Sequence, residues 1–127
     1  MPITAVYASL LALFFVYLSA RTIRLRRRLG IGLGFSENPD MLRAIRVHGN
    51  FTEYVPLALL LIFFVESAKA DPWLVHILGV TLLAGRLSHA FGVSRNPENF
   101  TFRVLGMSMT LAVITLSALY LLIVTAA

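Results

Sequence analysis

Two uncharged apolar stretches constrain the fold of this chain more than any other feature. Residues 3–20 and 104–127 contain no charged side chain over 18 and 24 consecutive positions. Such a stretch is close to the roughly 20 residues that a helix needs to cross the hydrocarbon core of a bilayer. The sequence therefore predicts helices that span a membrane at both ends of the chain.

The overall composition agrees with a membrane protein. Apolar residues make up 58% of the chain and charged residues 13%, about half the charged share that is usual in soluble domains. A cleaved signal peptide is a poor alternative for residues 3–20, because no basic residue precedes them and five arginines follow within eight positions. The absence of cysteine excludes disulfides and zinc–thiolate sites within the chain.

We predict an all-α, up-down bundle of four transmembrane helices that forms a single domain over residues 1–127. The helices are expected at about 3–24, 39–68, 73–93 and 97–126. Asn38 and Pro39 are typical of a helix start, and the glycine-rich segment 30–35 is interpreted as a flexible connection. A strip of small residues on the third helix predicts the close approach of a neighbouring helix: Thr81, Gly85, Ser88 and Gly92.

The distribution of arginine predicts the orientation in the membrane. All ten arginines lie on or toward the side that holds the first and third connections, where four acids leave a net charge of +6. The other side carries one lysine against two acids, a net charge of −1. The positive-inside rule places the arginine side in the cytoplasm and both termini outside. This flanking pattern also explains the basic composition better than nucleic-acid binding does.

The second helix carries a polar stripe that is unusual for a membrane span. At about 100° per residue, Arg43, Arg46, Asn50 and Glu53 share one face, and Tyr54 extends it. An unpaired charge at membrane depth is costly, so this face needs partners. Glu53 could pair with an arginine in an internal network. Alternatively, six or seven arginines against one nearby acid leave surplus charge that an anionic ligand would neutralise.

Three segments resemble the MAPEG family, the membrane-associated proteins of eicosanoid and glutathione metabolism. They are RVHGNFTEYVP at 46–56, Ser-Ala-Arg at 19–21 and GRLSHAFG at 85–92. The resemblance covers nearly the whole chain and is greatest to the short bacterial members, which predicts a bacterial inner-membrane protein. It implies a homotrimer that holds glutathione, as co-substrate, between neighbouring subunits at the cytoplasmic side.

The resemblance also implies a set of site residues. Arg103 resembles the arginine at the start of helix four that stabilises the glutathione thiolate, and Arg95 is the competing candidate. His89 stands where the glutathione-conjugating enzymes commonly have a tyrosine, and it could donate to a thiol or acceptor or simply be a packing histidine. Val93 replaces a second tyrosine and His48 a glutamine. The implied glutathione contacts are Arg21, Arg46, Asn50, Glu53, Tyr54 and Arg86.

The chemistry of glutathione suits this set of side chains. Guanidinium groups bind carboxylates in a bidentate manner, and a glutamate binds an ammonium group. A guanidinium beside the thiol would lower the thiol pKa from about 8.5 by one to two units, worth roughly 1.4–2.7 kcal/mol. The sequence thus predicts a membrane-bound glutathione-dependent transferase or peroxidase acting on lipophilic electrophiles that enter from the lipid.

Two other functions compete with this prediction. One is a non-enzymatic assembly or a lipid- or thiol-binding protein that keeps the fold. The other is a small transporter or channel subunit, which the continuous helices and the lack of an inverted repeat disfavour. No metal is predicted, because no two histidines have ligand spacing on one helix. His48 lies opposite the polar stripe and is expected to pack, and His76 is expected near the headgroups.

Overall fold

The computed structural model describes residues 2–127, and all regular secondary structure within that range is helical. Its four helices are α1 (Ile3–Leu29), α2 (Pro39–Ser67), α3 (Pro72–Ser94) and α4 (Phe100–Ala126). Each is long and apolar enough to cross a membrane. The predicted all-α bundle of membrane-spanning helices is confirmed.

Contacts at the two ends of the bundle show how α1 and α3 are directed. Near their starts, the Tyr7 hydroxyl lies 2.9 Å from Nδ1 of His76. Near their ends, Nη1 of Arg21 donates to Oγ of Ser94 at 2.8 Å. The two helices are therefore parallel, with α2 antiparallel to both. The ten arginines lie toward the end that holds the α1–α2 and α3–α4 connections. We call it the arginine end, and the opposite end the distal end.

Helix α1 is longer than the sequence analysis predicted. It continues to Leu29 rather than ending near residue 24, because arginine is a good helix former and the cluster at 24–28 gives no reason to stop. Gly30 ends it with a φ of 67°. The N–H of Gly30 donates to the carbonyl of Arg27, and the N–H of Ile31 donates to the carbonyl of Arg26. This left-handed glycine cap is a common way to finish a helix.

Helix α2 begins where the sequence predicted. The Asn38 side chain accepts a hydrogen bond from the N–H of Met41 at 3.0 Å, and Pro39 occupies the first turn. The helix continues through Pro56 over 29 residues, a length of roughly 44 Å. Since the hydrocarbon core is only about 30 Å thick, the first turns of α2, with their arginines, extend beyond it at the arginine end.

Helices α2 and α3 form the centre of the bundle. Helix α1 packs against both of them, α4 also packs against both, and α1 and α4 do not touch within the described residues. Leu11, Val47, Ile62 and Leu82 are fully buried in this core. Many apolar side chains on the outer faces are exposed, as expected for a surface that contacts lipid. Helix association in lipid depends on close packing rather than on the exclusion of water.

The closest approach in the bundle is between α3 and α4. A Cβ atom on Gly106 would overlap the carbonyl oxygen of Gly85, and a Cβ on Gly92 would lie 2.7 Å from the carbonyl oxygen of Asn99. Ser88 donates to the carbonyl of Phe102 at 2.8 Å. The predicted small-residue strip on α3 thus contacts another helix, and it fixes the start of α4 against the end of α3.

Helix α4 begins at Phe100, three residues later than predicted. The reason is Asn99, whose side chain accepts from the N–H of Phe102 at 3.1 Å and whose own N–H donates to the carbonyl of Gly92 at 2.9 Å. Asn99 therefore serves as the N-cap. Glu98 precedes the helix and lies in the turn, a position that matters for the site described next.

Candidate functional site

A cavity of about 220 Å³ lies at the arginine end between α2, α3 and the start of α4. We call it the central pocket. The first turns of α2 supply most of its polar wall, and the close contact between α3 and α4 brings in the start of α4. Its lining residues are Leu42, Arg43, Arg46, Asn50, His89, Val93, Glu98 and Arg103. Four of the predicted site residues are therefore brought together: Arg46, Asn50, His89 and Arg103.

Each arginine that lines the central pocket has a carboxylate within 4 Å. The three ion pairs are Arg43–Asp40 at 3.2 Å, Arg46–Glu53 at 3.8 Å and Arg103–Glu98 at 2.9 Å. The prediction that a single acid faces a surplus of arginines is thus wrong for this pocket. Glu53 does pair with Arg46 along its own helix, which was the internal-network interpretation.

These pairs are too exposed to hold the pocket closed. The side chains of Arg46 and Glu53 are 58% and 53% exposed, and those of Arg103 and Glu98 are 46% and 37% exposed. Exposed ion pairs contribute about 0–1 kcal/mol each. A hydrogen bond to a charged group can contribute about 1.5–3 kcal/mol, so a ligand with matching charges could replace such pairs.

Arg86 lies behind the wall of the pocket rather than in its lining. It is only 2% exposed. Its Nη1 donates to Oδ1 of Asn50, and its Nη2 lies 3.3 Å from the carbonyl oxygen of Gly106 and 3.4 Å from the sulfur of Met107. Because Arg86 occupies Oδ1, the amide NH₂ of Asn50 is left to donate elsewhere. Arg86 thereby sets the orientation of a side chain that does line the pocket.

The remaining predicted residues occupy different positions. His89 is 5% exposed and forms part of the pocket wall. Glu53 reaches the pocket only through Arg46. Tyr54 is partly buried on the same helix and lies outside the lining. Arg21 lies in a separate cleft at the end of α1. The roles predicted for these residues in glutathione binding stay predictions.

The geometry favours Arg103 over Arg95 as the arginine of the pocket. The guanidinium of Arg95 lies over the ring of Phe91, 4.8 Å from its centroid. The lining of the central pocket contains Arg103 but not Arg95. The sequence left both candidates open, since both lie near the start of the fourth helix.

His48 packs as predicted, outside the pocket. Its ring stacks on Phe15 with centroids 4.9 Å apart, and its Nε2 lies 3.0 Å from Oγ of Ser19. In the part of the chain that the structure describes, no group of three histidine or acidic side chains is placed to hold a metal ion.

Sequence reasoning did not assign two charged residues of the pocket, Arg43 and Glu98. Arg43 belongs to the polar stripe of α2 that the sequence analysis describes, but it is not among the predicted site residues, since the family motif on α2 begins at Arg46. Glu98 precedes Arg103 by five positions in a turn, where no helical periodicity applies. Only the folded turn shows that Nη1 of Arg103 contacts both oxygens of Glu98, at 2.9 and 3.1 Å.

Comparison with known proteins defines the class of this bundle. The model of the MAPEG family matches residues 4–123, and the chain belongs to that family. The match spans all four helices, so it includes the pocket at the arginine end.

Two curated relatives are similar along nearly their full length. The chain is 39% identical over 117 residues to inner membrane protein YecN of Escherichia coli strain K12, which covers 92% of this chain and 88% of the relative. YecN of Escherichia coli O6:H1 strain CFT073 matches to the same extent. Together with four apolar helices, these relatives identify a multi-pass protein of the bacterial inner membrane.

Proposed function

We propose that this protein binds glutathione in the central pocket and uses it as a membrane-bound transferase or peroxidase on lipophilic electrophiles. The observation that carries the proposal is the single cavity that joins Arg46 and Asn50 of α2 to Arg103 of α4. The cavity lies at the level where the apolar part of the bundle meets its charged end. A water-soluble thiol and a lipid-soluble acceptor can meet at such a boundary.

The charge pattern of the pocket matches glutathione better than a simple anion. Glutathione has two carboxylates and one ammonium group, and the pocket offers guanidiniums with carboxylates beside them. The carboxylates of the ligand would bind Arg43 and Arg46, and its ammonium group would bind Glu53. The NH₂ group of Asn50, left to donate by the contact with Arg86, would bind a peptide carbonyl of the ligand.

Arg103 is the residue that would act on the sulfur. A guanidinium beside the thiol favours the thiolate, which then attacks an electrophilic carbon. The new C–S bond forms as the leaving group departs with its electron pair. Because Glu98 contacts Arg103, part of the positive charge of Arg103 is already offset, and glutathione would have to share or displace that contact.

The size of the pocket supports the predicted homotrimer. Its volume of about 220 Å³ falls below the roughly 300–1,000 Å³ of typical ligand sites. One chain would then supply part of the site and a neighbouring copy the rest. Arg21 lies outside the central pocket of its own chain, so in a trimer it would be a candidate to complete the pocket of a neighbour.

A non-enzymatic protein with the same fold is the second candidate. It is favoured by the ion pairs already formed in the pocket and by His89 and Val93 at positions where the conjugating enzymes commonly have tyrosine. Such a protein would act in membrane assembly or bind lipid or thiol without turnover. Formation of a thioether between glutathione and a chloronitrobenzene electrophile separates the two candidates.

Calorimetric titration of the detergent-solubilised protein tests the binding step. We expect heat from glutathione at millimolar concentration or below, and a loss of at least tenfold in affinity in Arg46→Ala and Glu53→Gln. Lys69→Gln is the control, because it removes a charge at the distal end. Absence of binding, or equal affinity in all four proteins, would contradict the proposal.

A further inference from the structure

A second and larger cavity lies outside the central pocket. It has a volume of about 420 Å³ and is formed by the last turns of α1, the first turn of α2 and the end of α3. We call it the α1 cleft. Four arginines line it, and they are Arg21, Arg24 and Arg28 of α1 and Arg43 of α2. The glutathione proposal makes no use of Arg24 or Arg28.

The charge of the α1 cleft is not balanced by protein groups. Asp40 is the acid in its lining, and it pairs with Arg43 at 3.2 Å. Within residues 2–127, neither Arg24 nor Arg28 forms an ion pair. The two arginines lie one turn apart on the same helix, and like charges at this spacing repel each other. The buried Nε of Arg21 has no hydrogen-bond partner. An anion between these guanidiniums would relieve the repulsion.

An exposed apolar strip leads directly to the cleft. Tyr17 belongs to the cleft lining and is 57% exposed, and Leu13, one turn earlier on the same face, is 70% exposed. The strip and the arginines occupy one side of α1, at helical spacing of three and four residues. Since Arg21 is the first charged residue after the uncharged stretch, the cleft lies at the depth of the lipid headgroups.

We propose that the α1 cleft binds the phosphodiester headgroup of an anionic phospholipid, whose acyl chains lie along Leu13 and Tyr17. Guanidinium groups bind phosphate in a bidentate manner, and the dipole at the nearby start of α2 favours an anion. A free phosphate ion would use the arginines but not the apolar strip. The continuity of charge and apolar surface is the reason to assign the site to a lipid.

Native mass spectrometry of the full-length protein released from detergent micelles tests this site. Phosphatidylglycerol is titrated against the wild type, Arg24→Gln, Arg28→Gln and the matched control Arg27→Gln. Arg27 neighbours Arg28 on the same helix, is exposed and does not line the cleft. Arg21 and Arg43 are left unchanged because the proposed glutathione site uses Arg43 and, in a trimer, Arg21 of a neighbouring copy.

We expect phosphatidylglycerol to bind and phosphatidylcholine to bind at least tenfold more weakly. Arg24→Gln and Arg28→Gln should each weaken phosphatidylglycerol binding about fivefold, the effect of one arginine near an anionic lipid surface, with Arg27→Gln unchanged. Inorganic phosphate at millimolar concentration should not displace the lipid.

Three results would overturn the proposal. Equal losses in Arg27→Gln and Arg28→Gln would show a general basic flank rather than a site. Equal binding of phosphatidylglycerol and phosphatidylcholine would show that the cleft does not recognise the charge of the headgroup. Displacement of the lipid by millimolar inorganic phosphate would assign the cleft to a soluble anion. Elution of each variant at the volume of the wild type in size-exclusion chromatography establishes that it is folded.

Discussion

The two ends of the bundle use charged side chains in opposite ways. At the distal end, the Glu66 carboxylate accepts hydrogen bonds from the backbone N–H groups of Ile3 and Thr4, the latter at 2.9 Å. Asp71 accepts from the N–H of Trp73 at 2.8 Å. Each of these carboxylates accepts hydrogen bonds from backbone N–H groups at the start of a helix. At the arginine end, the acids contact exposed guanidiniums instead, and both cavities described above lie there.

The acids of the distal end stabilise the fold, whereas the exposed charges of the arginine end are available to bind a ligand. The N-cap position of α1 is Pro2, which offers no side-chain cap, so Glu66 of α2 supplies the missing acceptors and ties the two helices together. A carboxylate at a helix N-terminus is also favoured by the helix dipole. The arginine end also binds backbone, since Nη1 of Arg26 donates to the carbonyls of Ile31 and Gly34, but the carboxylates of its three ion pairs contact side chains. Its exposed pairs are weak, and a ligand can therefore compete for them.

The largest effect is expected from a substitution that moves the start of α4. Gly106→Ala places a Cβ against the carbonyl oxygen of Gly85, and overpacking of this kind costs about 1–3 kcal/mol. Helix α4 must shift away from α3, which carries Arg103 away from Arg46. We expect a lower midpoint of thermal unfolding in detergent and at least tenfold weaker glutathione binding by calorimetry. Wild-type values for both would contradict the close α3–α4 contact.

Arg103→Gln tests the arginine end through its chemistry. Loss of a guanidinium beside the thiol should raise the thiol pKa by one to two units to about 8.5, which corresponds to about 1.4–2.7 kcal/mol and lowers the thiolate fraction, and with it the rate, by about 8- to 25-fold at pH 7. The rate of glutathione conjugation to a chloronitrobenzene measures this. Arg95→Gln is the matched control and should keep the wild-type rate. A larger loss in Arg95→Gln than in Arg103→Gln would assign the thiolate contact to Arg95.

Glu66→Ala tests the distal end. Removal of the acceptors for the N–H groups of Ile3 and Thr4 should destabilise the protein by about 1–2 kcal/mol, as for the loss of a helix N-cap. Thermal unfolding in detergent measures the change. Glutathione affinity should stay at the wild-type value, because the substitution lies at the other end of the bundle. An equal loss of affinity and stability would contradict the separation of the two ends.

The smallest expected effect is a gain in glutathione affinity rather than a loss. Glu98→Gln removes the carboxylate that contacts Arg103 and frees the guanidinium for the ligand. Since an exposed pair contributes about 0–1 kcal/mol, we expect glutathione to bind up to about fivefold more tightly. Calorimetric titration beside Glu37→Gln, which removes a charge outside the central pocket, measures the gain. Weaker binding would show that Glu98 itself contacts the ligand.

Local patterns on single helices were sufficient to predict most of the fold. The uncharged stretches predicted the spans, Asn38 and Pro39 predicted the start of α2, and the small residues of α3 predicted a close helix contact. Periodicity reports which face a residue occupies, but not what lies across from it. The contact of Arg86 with Asn50, the turn that brings Glu98 to Arg103, and the separate cleft of Arg21 depend on how helices pack, and sequence reasoning did not find them.

The state of the sulfur in bound glutathione tests the central claim most directly. Ultraviolet absorbance of the thiolate, recorded against pH with the detergent-solubilised protein and glutathione, gives the pH at which half of the bound thiol is ionised. If the central pocket holds glutathione beside Arg103, that midpoint lies one to two units below the value of about 8.5 for a free thiol. A midpoint at or above the free value would contradict the account.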